Sequence, residues 1–371
     1  MKFVLTCAIL LVSTAVRSQN EATTENIFII TTDGLRWQEV FSGADSTLIN
    51  DPAYVKDPGL MKELYWNSSV EQRRKNLMPF LWQTVNSQGQ ILGNRQYNNQ
   101  VDVTNFFKIS YPGYNEMLTG YADPIFIPNV PLKNRNINIL EYLNNKKEYA
   151  GKVAAFSSWN VFGAILNKKR SRLPSSLGYE AFQPDSSQDS EIIRSTQESV
   201  TDKANTRFDL LTFLTAKDYI EHHKPKLVLI SFGETDQFAH QRKYDLYLQQ
   251  VNNFDKMLAE LWYYVQTDPF YKGKTTFLIT TDHGRGKYSS TWYKHGILTR
   301  GSGDLWFAAI GPGIAPEGEM KSPARICQKQ IASTVADLLG EEFTTPRNSG
   351  EPIPLLYPMG LNLAAGNVGI H

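Results

Sequence analysis

Cysteine is nearly absent from this chain, with only Cys7 and Cys327 in 371 residues. Cys7 lies in an apolar amino-terminal stretch, so once that stretch is removed no intrachain disulfide can staple the fold. Charge imbalance is absent too, with 38 Lys and Arg against 37 Asp and Glu and a net charge of +1. Such a balance argues against a general nucleic-acid binder or a polybasic membrane-surface protein. Internal repeats and low-complexity tracts are missing as well. What remains is a chain long enough to bury a substantial core, as one large α/β domain or two modest ones.

The amino-terminal apolar run, Phe3 to Val12, is shorter than the ~20 residues a spanning helix requires. Lys2 precedes it, and Val16-Arg17-Ser18 follows as a cleavage site, so residues 1–18 read as a signal peptide and 19–371 as the exported domain, periplasmic or secreted. A short membrane anchor is the alternative. No transmembrane segment is expected after cleavage.

Three strand-like runs share one grammar. Asn26 to Thr32 stops at Asp33-Gly34, Leu227 to Phe232 runs into Gly233-Glu234-Thr235-Asp236, and Thr275 to Thr281 stops at Asp282-His283-Gly284. Each is a buried-strand pattern that delivers a carboxylate at its carboxyl end, where α/β sheets present their ligands. If the three are neighbours, the acids converge. His240 follows Asp236 by four residues, and His295 follows in Tyr293-Lys294-His295-Gly296. Acids and histidines gathered in this way suit a metal ion.

A short apolar strand, Phe106 to Ile109, is expected to lead into Ser110-Tyr111-Pro112-Gly113, with Ser110 at or just before a helix amino terminus. Free N–H groups and the helix dipole favour phosphate-like anions there; the plainer reading is a helix cap. Other expected elements are a strand at Lys152 to Phe156, helices over 208–222 and 244–265, one strand over 304–310 and a last helix over 331–339. Cys327 falls in an apparent helix as a small core residue. Residues 41–100 and 168–206 read as edge or cap insertions.

In this order, strand-Asp-Gly, Ser-Tyr-Pro-Gly before Thr-Gly, Asp with His four later, Asp-His-Gly and Lys-His-Gly, the sequence resembles the alkaline phosphatase superfamily. Its nearest likeness is to the type I phosphodiesterase and nucleotide pyrophosphatase branch. The match spreads from Asp33 to Leu339. The resemblance implies an α/β fold with a mostly parallel central sheet flanked by helices. It also implies two divalent ions, zinc for preference and manganese as the alternative, since mixed Asp and His donors suit Zn²⁺ better than the all-oxygen shells of Ca²⁺ or Mg²⁺. One metal site would comprise Asp236, His240 and His295; the other would comprise Asp33, Ser110, Asp282 and His283.

The resemblance further implies Ser110 as nucleophile in an in-line displacement with a covalent phosphoseryl intermediate, on a small-molecule phosphate ester. Charge on the non-bridging oxygens would meet the ions and backbone N–H groups near Tyr111. An Asn after Gly120 would add a donor, and Asn129 and Asn134 both fit. Sulfatases that mature a serine carry Ser-x-Pro-x-Arg, whereas Tyr114 stands in the fifth place here. A monoesterase branch places Lys and Arg where Asn160 and Phe162 stand, so losing two cations and gaining an aromatic favours phosphodiesters. The alternatives are a phosphomonoesterase, a phosphonate or sulfate-ester hydrolase at the same site, or a catalytically silent binding protein of this fold.

Overall fold

The computed structural model describes residues 23–125, 128–180 and 188–357. The expected signal peptide, residues 1–18, lies outside them. The described strands are β1 Asn26–Thr32, β2 Gly89–Leu92, β3 Asn99–Asp102, β4 Val153–Ser157, β5 Ser175–Leu177 and β6 Leu227–Phe232. They continue with β7 Thr275–Thr280, β8 Asp304–Leu305, β9 Phe307–Ile310, β10 Gly318–Glu319 and β11 Ala324–Cys327. Eight form the central sheet, in the order β10-β2-β9-β7-β1-β6-β4-β5, and β11-β3-β8 form a small second sheet. In the central sheet only β9 runs against its neighbours, β2 and β7. The expected α/β architecture, mostly parallel and flanked by helices, is what forms.

The strands that carry the motif acids are neighbours. β1 lies between β6 and β7, parallel to both, with Thr31 level with Ser231 on one side and Thr280 on the other. All three are buried along their whole length. That is why they read as unbroken apolar runs, as strands covered on both faces do.

Alternation along β1 divides the interior into two cores. Phe28 and Ile30 face the layer of the long helix Tyr244–Thr267, where Phe254 packs on Phe232 at 5.8 Å and Trp262 on Phe277 at 5.0 Å between ring centroids. Ile27 and Ile29 face the other layer, which includes the helix Ser110–Thr119 through Tyr111, Tyr114 and Met117. No helix among the described residues is long and apolar enough to cross a membrane.

Four expectations are corrected. Residues 106–109 are not a strand: Glu116 accepts the N–H groups of Thr104 and Asn105, and Asn105 Oδ1 accepts those of Phe107 and Lys108. Those side-chain bonds bend the backbone away from any ladder. The strand over 304–310 is two, because Trp306 turns its indole N–H to the Leu35 carbonyl at 3.1 Å and separates β8 from β9. Cys327 ends β11 and is only half-buried, not part of a helix. The 41–100 segment does more than decorate an edge, since β2 within it is an internal strand of the main sheet; 168–206 supplies β5, at the sheet's edge.

Candidate active site

Asp33 sits one residue beyond β1, and Gly34 follows with φ of +59°. A side chain at Gly34 would be strained by that conformation and would also meet the Arg285 guanidinium at 2.5 Å and the His283 ring at 2.9 Å. The Gly34 N–H donates to Asp282 Oδ1 at 3.0 Å, tying the ends of β1 and β7 together. Thr235 donates its hydroxyl to the Asp33 carbonyl at 2.6 Å and does the same for β6.

Ser110 is the first residue of its helix. The helix is seated by Gly113, where a Cβ would stand 2.4 Å from the Asp282 carbonyl oxygen, so only glycine allows this approach. Seated there, Ser110 Oγ lies 3.2 Å from His283 Nε2 and 3.5 Å from Asp33 Oδ1. His283 Nδ1 donates to the Gly284 carbonyl at 2.9 Å, which turns Nε2 inward; only once that ring gives up its second proton does Nε2 have a lone pair to offer an ion. Nε2 also stands 3.3 Å from Asp33 Oδ1 and 3.6 Å from Asp282 Oδ2.

Of the two Asn positions, Asn129 is the one that stands beside Ser110. Asn129 Oδ1 accepts the Tyr111 N–H at 2.9 Å, which turns its Nδ2 to within 3.5 Å of Ser110 Oγ. Asn134 is buried elsewhere, donating to Asn115 Oδ1 and the Ile165 carbonyl. The Tyr111 N–H, expected to face substrate oxygens, is taken by Asn129.

The second group is Asp236, His240 and His295. The structure continues β6 into a short helix, Glu234–His240, which puts Asp236 and His240 one turn apart on the same side. His240 Nε2 lies 3.2 Å from Asp236 Oδ2 and 3.1 Å from His295 Nε2.

Donor atoms of Asp236, His240 and His295 all lie within 4.8 Å of one another, as do those of Asp33, Asp236 and His283. Asp236 therefore stands in both groups. Asp282 and Ser110 border the second through the contacts above.

These residues fit divalent ions. Asp282 Oδ2 is buried with no hydrogen-bond partner, a costly state for a carboxylate oxygen unless a cation faces it. Burial, joined by the neighbouring Asp33 charge, pushes the Asp282 carboxyl up to about 7. Burial works against a charged His283, yet Asp282 and Asp33 outweigh it and hold the imidazole up to about 9. Asp33, Asp282 and His283, packed this closely, are a ligand set that calls for positive charge among them. His295 behaves oppositely: burial lowers it, and the positive charge of His283 adds to this, leaving a neutral ring with a lone pair to give.

Sequence reading missed Arg285. Fully buried, it donates to the Gly34 carbonyl at 2.8 Å, to the Tyr293 carbonyl at 3.0 Å and to Asp236 Oδ1. Burial pushes its guanidinium down to about 10. It holds one oxygen of Asp236 and leaves the other for His240 or an ion. The only signal was its place two residues after His283.

A cavity of about 370 Å³ opens over Ser110, lined also by Asp33, Asn129, Trp159, Gln237 and His240. Among its described lining residues there is no Lys or Arg. Phe162 does not face it: the ring is fully buried against Tyr114, 4.5 Å between centroids, and Asn160 is exposed outside the lining. The aromatic at the cavity is Trp159 instead. Tyr114, in the place of the sulfatase arginine, is a core residue whose hydroxyl meets Ser231 Oγ at 3.1 Å.

Residues 151–299 match the Metalloenzyme superfamily. No curated protein sequence matches the chain. Among solved structures it is similar to the alkaline phosphatase PafA, at 9% identity and a TM-score of 0.60, over 91% of this chain and 99% of that one. It is also similar to the lipoteichoic acid synthase LtaP from Listeria monocytogenes, at 11% identity and a TM-score of 0.55, over 86% and 73% of the two chains. A phosphonate monoester hydrolase from Silicibacter pomeroyi matches at 11% identity and a TM-score of 0.53, over 86% and 74%. At such identities the likeness is one of fold. The fold is thus alkaline-phosphatase-like, and the match over residues 151–299 together with the Asp and His clusters supports the use of divalent metal.

Proposed function

We propose that this protein is a metal-dependent hydrolase of phosphoric esters, acting on phosphodiesters through Ser110. The observation that carries the reading is the convergence on one hydroxyl. Ser110 Oγ stands at a helix start, within 3.5 Å of His283 Nε2, Asp33 Oδ1 and Asn129 Nδ2, at the floor of an open cavity. A serine in ordinary surroundings is a weak nucleophile.

Asp33, Asp282 and His283 would hold one ion, and Asp236, His240 and His295 the other, with zinc favoured by the mixed donors and manganese the alternative. When bound, the ions supply Lewis-acid activation of the attacking hydroxyl and charge neutralisation at the departing oxygen. Within the chain's own part, Ser110 Oγ loses its proton and forms a bond to phosphorus while the alcohol oxygen leaves with the bonding pair and takes up a proton. Water then attacks the phosphorus, the P–Oγ bond breaks, Oγ regains a proton from that water, and a phosphate monoester is released. Asn129 Nδ2, aimed by its bond to Tyr111, is placed to donate to an oxygen near Ser110. Arg285 fixes the orientation of Asp236.

The diester preference is supported by the cavity wall. A monoester dianion calls for an extra cation, and the described lining offers none. Trp159 and the neutral Gln237 and Asn129 suit the uncharged organic group of a diester. Export remains part of this proposal on the strength of residues 1–18 alone.

Turnover of bis-p-nitrophenyl phosphate, p-nitrophenyl phosphate and p-nitrophenyl sulfate by metal-loaded protein tests the assignment. The diester is expected to be cleaved with the highest kcat/KM, and Ser110→Ala to abolish it. A preference for the sulfate or monoester would overturn the substrate class, and no turnover of any of the three would overturn the enzyme reading.

A further inference from the structure

The loops around the cavity expose large apolar side chains. Leu298, three residues past His295, is 99% exposed, the highest value among the described large hydrophobics, and its neighbour Ile297 is exposed beside it. Phe106, four residues before Ser110, is 67% exposed. Leu132, three residues past Asn129, is 54% exposed, with Val130 also open to solvent. Such exposure costs solubility and, when gathered on one face, marks an interaction surface.

The three loops adjoin one another. Gly296 lies against Ile109, its Cβ direction 3.6 Å from the isoleucine Cγ2, which joins the Leu298 loop to the Phe106 loop. Tyr111 donates through its N–H to Asn129 at 2.9 Å and through its hydroxyl to the Leu132 carbonyl at 2.5 Å, which joins the third loop to the start of the Ser110 helix. The apolar side chains therefore stand on adjoining loops beside the nucleophile.

Charge on the same loops is of one sign. Residues 104–110, 128–135 and 286–303 contain Lys108, Lys133, Arg135, Lys287, Lys294 and Arg300 and no Asp or Glu, in a chain whose total is +1. Whole-chain balance hid this asymmetry. Arg242 and Lys294 also line a cleft of about 330 Å³ shared with His240 and His295, so the basic character reaches the candidate metal ligands. Among the described ion pairs Arg135 is the one of the six loop cations paired to an acid, Asp123 at 2.8 Å; Lys108 and Lys287 lie in the field of Asp304.

We propose that this face docks on an anionic phospholipid bilayer, with Leu298, Ile297 and Phe106 entering the headgroup boundary and the lysines and arginines meeting lipid phosphates. Apolar insertion and electrostatic attraction to anionic lipid are the two contributions that hold a peripheral protein at an interface. A protein partner would have to match both the apolar tips and the unopposed cations, which an acidic membrane surface does without a specific shape. Docked so, the cavity mouth faces a layer in which phosphodiesters are abundant. The docking claim stands independently of the ester chemistry.

Cosedimentation of the metal-loaded full chain with vesicles of phosphatidylcholine alone, and of phosphatidylcholine with phosphatidylglycerol, tests it. Binding is expected to the mixed vesicles, weakened by salt, and about tenfold weaker for Ile297→Asp/Leu298→Asp and for Phe106→Asp. Turnover of bis-p-nitrophenyl phosphate by the same variants should be unchanged, which shows that the fold and site are intact and separates failure of docking from failure of the proposed chemistry. Absence of binding to the mixed vesicles would overturn the proposal. So would equal binding by the variants, or dissolution by Leu298→Asp of a dimer seen in sedimentation, which would assign the patch to a second copy of the chain.

Discussion

Asp282 and His283 are fully buried, whereas the His240 side chain is 53% exposed and Asp236 21% exposed. Both groups sit at the carboxyl ends of adjacent strands, yet they are built differently. The inner one is made from the ends of β1 and β7, locked by the Gly34 to Asp282 hydrogen bond and by close backbone packing at Gly113. The outer one hangs on a short helix and a loop, steered by Arg285. Burial fixes the inner residues in place, while in the outer group His240 stands open to solvent and His295, its side chain 9% exposed, is nearly covered.

The strongest way to break this comparison is at the hydroxyl that adjoins the inner half. Ser110→Ala should lower kcat by about three orders of magnitude or more while leaving the melting temperature near wild type. Unchanged turnover would reassign the nucleophile. Next comes the asymmetry itself. Titration with a chelator should remove metal in two phases, His240 and His295 releasing theirs first, read as metal content against circular dichroism; a single phase would erase the distinction between halves. Arg285→Lys cannot reproduce the forked contacts, so outer-site metal affinity should fall about 10- to 100-fold, measured by competition with a chromophoric chelator.

A pH series sharpens the inner half. In metal-free protein His283 is held up to about 9, so its stabilising charge is fully present below the ordinary histidine pKa of about 6.5 and is lost as pH rises through about 9. Asp282 is pushed up to about 7, so its ionisation becomes a burden as pH rises from about 4 through about 7. Both shifts have the native state holding protons that the unfolded chain has released, so metal-free stability falls with rising pH. Metal replaces those protons, and the gap in melting temperature between loaded and metal-free protein should widen from about pH 6 to about pH 9. A constant gap would remove these two residues from the metal's neighbourhood. The smallest effect is expected at the cavity wall, where Trp159→Ala should raise KM for an aromatic diester about three- to tenfold with little change in kcat.

Much of this was legible because buried parallel strands advertise themselves. The runs ending at Asp33, Asp236 and Asp282 are apolar on both faces, and their adjacency follows from the parallel sheet such runs build. What escaped was whatever depends on how a loop turns. Arg285 carries no sequence signal beyond its nearness to His283, because its place is set by bonds to the Gly34 and Tyr293 carbonyls that only the folded loops bring to it. Phe162 was assigned to the cavity by its place in the chain, but the short helix Phe162–Ile165 carries its ring into the core. Spacing left Asn129 and Asn134 equivalent, and only the Tyr111 N–H distinguishes them. The strand expected at 106–109 failed because propensity says nothing of a carboxylate, Glu116, arriving from the next helix to claim the backbone.

The contact at Gly113 has a bearing on how such enzymes can be re-engineered. Because the spacing between Ser110 and the inner acids is set by one backbone lying directly on another, no choice of neighbouring side chains can tune it. Swapping in the corresponding helix from another protein of this fold would have to bring its own partner for the Asp282 carbonyl, or the Ser110 hydroxyl would arrive displaced however faithfully every charged residue had been copied.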